Sequence, residues 1–396
     1  MTKTTETKPE RTVVLSHPTF TSIPRVENSI VIGLDADMTS GSARSGEAIR
    51  RGLELAIRQI NEEGGLLGRP VELIVRDNRG NPDRGLGNLK AFSQTRDLLG
   101  VFGGKHTPVA MRELEFVHQN EMLYFSPWAA GTKIVDNGYS PNHVFRVSVR
   151  DEYAGGFLTR KAIERGGRKI ALVLEQTAWG RSNESAMLTA FTEEGIEPVS
   201  VEWIHWGNND LKAPVERLVA LDCDTILFVG NPLEGVSLVR AVASLPADER
   251  PVIISHWGIS GGVFFEQVSH LLGEVDVCFL QTFSFLNPRH PERAKRVETA
   301  YLAAYGDRDD PRDIFAPAGT AHAYELMNMI AVAVTAAGSI ETQRVLRSLE
   351  ELRDYRGLIR DYKHPFPPDH HDALDASDFI LACFDEHGAT IPIGEE

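Results

Sequence analysis

Residues 30–77 read IVIGLDADMTSGSARSGEAIRRGLELAIRQINEEGGLLGRPVELIVRD, one complete strand, loop, helix, strand unit. Ile30, Val31 and Ile32 make a short apolar run ended by Gly33, as a strand buried on both faces does. The polar loop Asp35 to Ser45 follows, rich in the Ser and Thr that cap helices. From Glu47 the period changes: Ile49, Leu53, Ala56, Ile57 and Ile60 recur at helical spacing, with Arg50, Arg51, Glu54 and Arg58 between them, so one stripe is buried and the other solvated. Gly64 and Gly65 stop the helix, and Val71, Leu73, Ile74 and Val75 form the second strand. A right-handed crossover between parallel strands places the long polar loop at the carboxyl edge of a sheet, where open α/β sheets bind ligands.

The same alternation continues outward. Leu98 to Phe102 reads as a strand ended by Gly103-Gly104, Val109 to Asn120 as a helix, and Met122 to Phe125 as a strand ending at Ser126-Pro127. A fresh series starts after Val144, with strands at 169–174, 199–204, 225–229 and 252–255 and helices between them. Strands interleaved with helices argue for two doubly wound α/β domains with parallel sheets. Val277 to Gln281 is expected to return the chain to the first domain, since Pro291 to Tyr305 and Ala318 to Ala337 are helical. The expected division is a poorly ordered tail over 1–28, a first lobe of 29–145 plus 277–355, and a second of 146–276 plus 356–396.

With 396 residues the chain exceeds one ordinary core, which agrees with two domains. Its 41 Lys and Arg against 56 Asp and Glu leave a net charge of -15, which repels phosphate backbones and excludes nucleic acid as an expected partner. Cys223, Cys278 and Cys383 lie far apart without CxxC spacing, so no zinc site is expected and each reads as a small core residue. The first twenty residues hold no apolar run of a secretory leader, and no stretch approaches the about 20 apolar residues that span a bilayer. From the residues alone the expectation is a soluble chain with no export signal.

Four of the five tryptophans, Trp128, Trp179, Trp206 and Trp257, follow predicted strands in loops. At a ligand edge such rings supply flat apolar walls with one N–H donor each; packing of interdomain loops is the bland reading. Thr107 and Ser126 end strands of the first half, and Thr107 also precedes a helix, where a hydroxyl and unpaired N–H groups suit a carboxylate. Glu234 opens a helix in the second half and suits an ammonium, or simply stabilises that helix. Gly258-Ile259-Ser260-Gly261-Gly262 matches GxSxG, and Asp276 and several histidines follow it, so a serine triad can be written; a capping serine outweighs it. The loop from Asp35 lacks the glycine and glutamate of a calcium site, GGKHT lacks the spacing of a phosphate loop, and DHHDALD from Asp369 reads as a solvated loop rather than a metal site. No cofactor is expected.

IVIGLDADMTSG, INEEGGLLGRPVELIVRDNRGNPDRG, GVFGGKHTPVA and YFSPWAAGT, in this order, resemble the leucine/isoleucine/valine-binding proteins among the type I periplasmic solute-binding proteins. The resemblance covers about residues 30 to 390. It implies two α/β lobes joined by a three-segment hinge, closing on a small carboxylated solute, with delivery to ABC permease subunits and a periplasmic location. Carried over by position, Thr107 matches the carboxylate-binding serine, Trp128 and Ala130 the residues around the ligand's carboxylate and ammonium, Glu234 the ammonium partner, and Trp179 an aromatic wall. Ser45 stands where the first lobe's aromatic wall usually is. Ala130 replaces a usual threonine, and the family's early disulfide is absent around Asn78 and His106. The added tryptophans and the hydroxyl missing at Ala130 point from a plain branched-chain amino acid toward an aromatic carboxylate. A cytoplasmic ligand sensor on the same fold and a hydrolase using Ser260 are the alternatives.

Overall fold

The computed structural model describes residues 27–306 and 308–394; the expected tail over 1–28 lies almost wholly outside them. The first half runs β1 (Ile30–Ala36), α1 (Ala43–Glu62), β2 (Val71–Asp77), α2 (Pro82–Phe92), β3 (Leu98–Gly103), α3 (Thr107–Gln119), β4 (Tyr124–Ser126), α4 (Thr132–Val135) and β5 (Val144–Arg146). Its five strands form one parallel sheet in the order β2-β1-β3-β4-β5. The second half runs α5 (Asp151–Glu164), β6 (Ile170–Glu175), α6 (Ala178–Glu193), β7 (Ser200–Ile204), α7 (Lys212–Val219), β8 (Thr225–Val229), α8 (Pro232–Ala243), β9 (Val252–Ser255), α9 (Phe264–Val268) and β10 (Val277–Gln281). After it come α10 (Pro291–Tyr305), α11 (Pro317–Ala337), α12 (Thr342–Glu350), the β11–β12 hairpin (Tyr355–Arg356, Asp361–Tyr362), β13 (Ile380–Phe384) and β14 (Thr390–Pro392).

The second sheet has seven strands in the order β14-β13-β10-β9-β8-β6-β7. Its parallel part, β7-β6-β8-β9-β10, repeats the order of the first sheet, so β10 is the counterpart of β5. This corrects one expectation: Val277 to Gln281 pairs with β9 and β13 and belongs to the second lobe, and the chain crosses back only afterwards. α10 and α11 then pack on α1 of the first lobe, and β13 returns to the second sheet in antiparallel pairing with β10.

Local chemistry explains where reading by period slipped. β1 runs through Gly33 instead of ending there, because the Phe92 ring of α2 packs where a side chain would stand; a Cβ on Gly33 would lie 2.9 Å from Phe92 Cε1. Gly33→Ala is therefore expected to cost roughly 1–3 kcal/mol as Phe92 is forced aside; chemical denaturation measures it, and no loss would show that the ring has room to move. α1 begins at Ala43, four residues before Glu47, since Asp37 organises the preceding loop by accepting from the N–H groups of Ser40 and Ser42 at 2.8 and 3.1 Å. Helix α5 was not legible: Gly155 and Gly156 blur its pattern, yet Gly155 lets α6 approach so closely that a Cβ would meet Ala186 at 2.6 Å.

Three segments join the lobes, near residues 147–150, 282–290 and 363–379. The third is pinned to the first. Arg146, wholly buried, forms an ion pair with buried Asp372 and donates to Gly131 O at 2.9 Å, and Arg150 reaches the other oxygen of Asp372 at 3.0 Å. His371 stacks on Phe145 with ring centroids 4.1 Å apart. DHHDALD is thus a buried hinge strut and not the solvated loop expected. Among the described residues no metal-binding cluster occurs, and no single helix is long and apolar enough to cross a membrane. The three cysteines are free thiols, with Cys223 and Cys278 buried.

Candidate functional site

Each sheet ends its parallel strands at the same edge, and the two edges face each other. From the first lobe come the loop after β3, with Lys105, His106 and Thr107, and the loop after β4, with Trp128 and Ala130. From the second come Glu175 at the end of β6, Trp179 in the first turn of α6, Asn231 before α8, and Trp257-Gly258 after β9. Together with Pro108 they line one cavity between the lobes, with about 10 Å³ of free space, room for the centre of one water. The lobes are in close contact around it. Arg44 pairs with Glu266 at 2.5 Å, Thr132 N–H donates to Ser182 Oγ at 3.1 Å, and a Cβ on Gly262 would lie 2.5 Å from Gly41 O.

The walls are aromatic. Trp128 and Trp257, one from each lobe, meet with centroids 5.2 Å apart in a tilted arrangement. Trp179 Nε1 donates to Asp151 at 3.3 Å, and His256 Nε2 stands 3.1 Å from the same carboxylate oxygen. Since His256 Nδ1 accepts from the Trp257 N–H at 2.9 Å, its proton sits on Nε2 and points at Asp151. Asp151 thereby anchors the mounts of Trp179 and Trp257, the two second-lobe tryptophans that line the cavity. Two polar atoms on lining residues are buried without partners, the donor Trp128 Nε1 and the acceptor Asn231 Oδ1. Such atoms are costly unless something pairs with them.

Lys105 is the charged centre of the site. It is 6% exposed, and its Nζ donates to Gly258 O of the opposite lobe at 2.7 Å and to Ser42 Oγ at 3.2 Å. Burial pulls its ammonium down to about 8, while Glu175, Asp37 and Glu234 favour its charge. Burial and the neighbouring Glu234 push Glu175 up to about 7, and burial likewise raises Glu234. Asn231 Nδ2 donates to Glu175 at 2.6 Å.

Of the residues singled out from sequence, Thr107, Trp128, Ala130, Trp179 and Trp257 line the cavity. Thr107 is the first residue of α3, and its Oγ1 accepts from Gly131 N–H at 3.2 Å, leaving the hydroxyl proton to donate elsewhere. Four do not line it. Ser45 is buried in the first turn of α1 and donates to Ser42 O at 2.6 Å, and Ser126 donates to Ala129 O at 3.2 Å. Trp206 is 38% exposed and rests against His106 of the other lobe, centroids 4.9 Å apart, at the rim. Glu234 sits behind the wall, accepting from Gly207 N–H, with its other oxygen unpartnered. Ser260 forms no triad: its hydroxyl donates to Trp257 O at 2.8 Å and accepts from Gln281, while His322 is held by Thr282 and Pro127 O. Lys105, Glu175 and Asn231 were missed, although each stands at or just past a strand's carboxyl end, the one signal that marked them.

A family model described as periplasmic binding protein matches residues 29–376. The chain belongs to that family. Proteins with similar sequences include the Leu/Ile/Val-binding protein BraC3 of Rhizobium johnstonii, 25% identical over 322 residues, which are 80% of this chain and 82% of that one. The crystal structure of a periplasmic binding protein type 1 from Bordetella pertussis superposes with a TM-score of 0.83 at 22% identity, covering 92% of this chain and 100% of the other. A solute-binding protein of an ABC transporter from R. palustris, solved in complex with benzoate, matches with a TM-score of 0.75 at 18% identity, covering 92% of this chain and 96% of the other. Membership of the periplasmic binding protein family is thus shown by sequence, and the likeness to solved solute-binding proteins of ABC transporters is one of fold.

Proposed function

We propose that this periplasmic binding protein captures a small carboxylated solute between its lobes and delivers it, in the periplasm, to ABC permease subunits. The observation that carries this reading is a cavity at the facing sheet edges whose lining comes from both lobes, so that rotation about the hinge would open and close it. Four features favour a carboxylate. The Thr107 hydroxyl stands at the N-terminus of α3, where helix donors favour an anion. Trp128 Nε1 lacks an acceptor, Lys105 supplies a buried cation, and the named ligands of two relatives, branched-chain amino acids and benzoate, share only a carboxylate. Trp128, Trp179 and Trp257 provide walls for the ligand's body.

Thermal shift with leucine, isoleucine, valine, benzoate and phenylacetate tests this, since ligand at 100 times its dissociation constant adds about 2.7 kcal/mol of stability. Thr107→Val is expected to weaken the bound acid about tenfold, the size of one lost hydrogen bond, measured by titration calorimetry. An unchanged affinity would remove Thr107 from the carboxylate's partners.

A further inference from the structure

We propose that Lys105 makes this cleft selective for carboxylates without an amino group, because its buried Nζ is a fixed cation on the cavity's own lining. The inference rests on the solute-binding reading above and narrows its ligand class. Lys105 belongs to the first lobe, yet its ammonium crosses to Gly258 O at 2.7 Å. It is closely fitted there: a Cβ on Gly261 would lie 2.7 Å from Nζ. The carboxylates acting on it come from both sides, Glu175 and Glu234 from the second lobe and Asp37 from the first. Asp37 is further satisfied by Ser40, Ser42 and His106. Glu234, which the resemblance assigns to a ligand's ammonium, thus already lies in the field of a cation that the chain itself supplies.

A second ammonium entering this dry site would sit beside Lys105, and like charges repel most where water is excluded. A carboxylate meets the opposite situation. Lys105, the Thr107 hydroxyl and the unpaired Trp128 Nε1 are donors on the lining, and the one carboxylate there, Glu175, accepts from Asn231 Nδ2. The open acceptor, Asn231 Oδ1, is neutral and takes a hydroxyl or amide N–H without adding a charge.

The test uses matched pairs that differ only in the amino group: phenylalanine with 3-phenylpropionate, and leucine with 4-methylpentanoate. Titration calorimetry on the full chain is expected to show the amine-free acid of a pair binding at least tenfold tighter, with Lys105→Met removing that preference and Lys105→Arg keeping it. Should the amino acid bind as tightly as its partner, or the preference survive Lys105→Met, the inference is overturned while the solute-binding reading stands. If neither member of either pair binds, and benzoate does not bind either, the carboxylate reading of the cleft fails and the inference with it. Arg supplies the control in case Met unfolds the site.

Discussion

Asp372→Ala is expected to destabilise the protein by about 3–5 kcal/mol, the loss seen when one partner of a buried ion pair is removed. Arg146 is wholly buried, and Asp372 is the charge that compensates it. Its remaining acceptors, Gly131 O at 2.9 Å and Ala129 O at 3.3 Å, are neutral carbonyls. Alanine would also strip Arg150 of one oxygen partner. The effect should appear as a fall in Tm on the order of 10 °C. The double change Arg146→Met with Asp372→Leu should cost less than Asp372→Ala alone, because it removes the stranded charge together with its partner. A loss under about 1 kcal/mol for Asp372→Ala, the range of exposed pairs, would mean that water reaches this hinge.

The second large effect is one of pH. Glu325 of α11 is buried beneath the β11–β12 hairpin and accepts from the Leu358 and Ile359 N–H groups at 2.6 and 3.1 Å. Burial outweighs those bonds and raises its carboxyl to about 7 from an ordinary 4.5. The sign follows from linkage: a carboxyl raised on folding stabilises below its unfolded value, and that stability is lost as pH rises through the folded one. Relative to Glu325→Gln, which does not titrate, the wild type should lose about 3 kcal/mol between pH 4.5 and 8. Gln adds a constant offset, since one side-chain oxygen replaces two acceptors. Urea denaturation of both proteins across that range measures the difference, and a flat difference would place Glu325 at its ordinary value.

Three tryptophans, the N-terminus of α3, Lys105, His106, Glu175 and Asn231 supply most of the lining, and Asp151, next to the first hinge segment, holds Trp179 and His256 in place. Any rotation of the hinge therefore moves the aromatic wall directly.

The residues alone were enough for the α/β alternation, for two domains and for marking Thr107, Trp128, Trp179 and Trp257, which line the cavity; Ala130 came only from the family resemblance. Those features are local: strand run, loop, helix stripe, and a ring placed just past a strand. The sheet that the strand β10 joins, the strut at Asp372 and the charged centre at Lys105 were not legible, because each depends on what meets it from elsewhere in the chain. Val277 to Gln281 looks the same whichever sheet it joins, and only pairing with β9 and β13 assigns it. Lys105 in GGKHT reads as a loop lysine until Gly258, 153 residues away, closes over it and removes its water. Burial and pairing are properties of two surfaces in contact, and a charge's role is set by the second surface as much as by its own sequence.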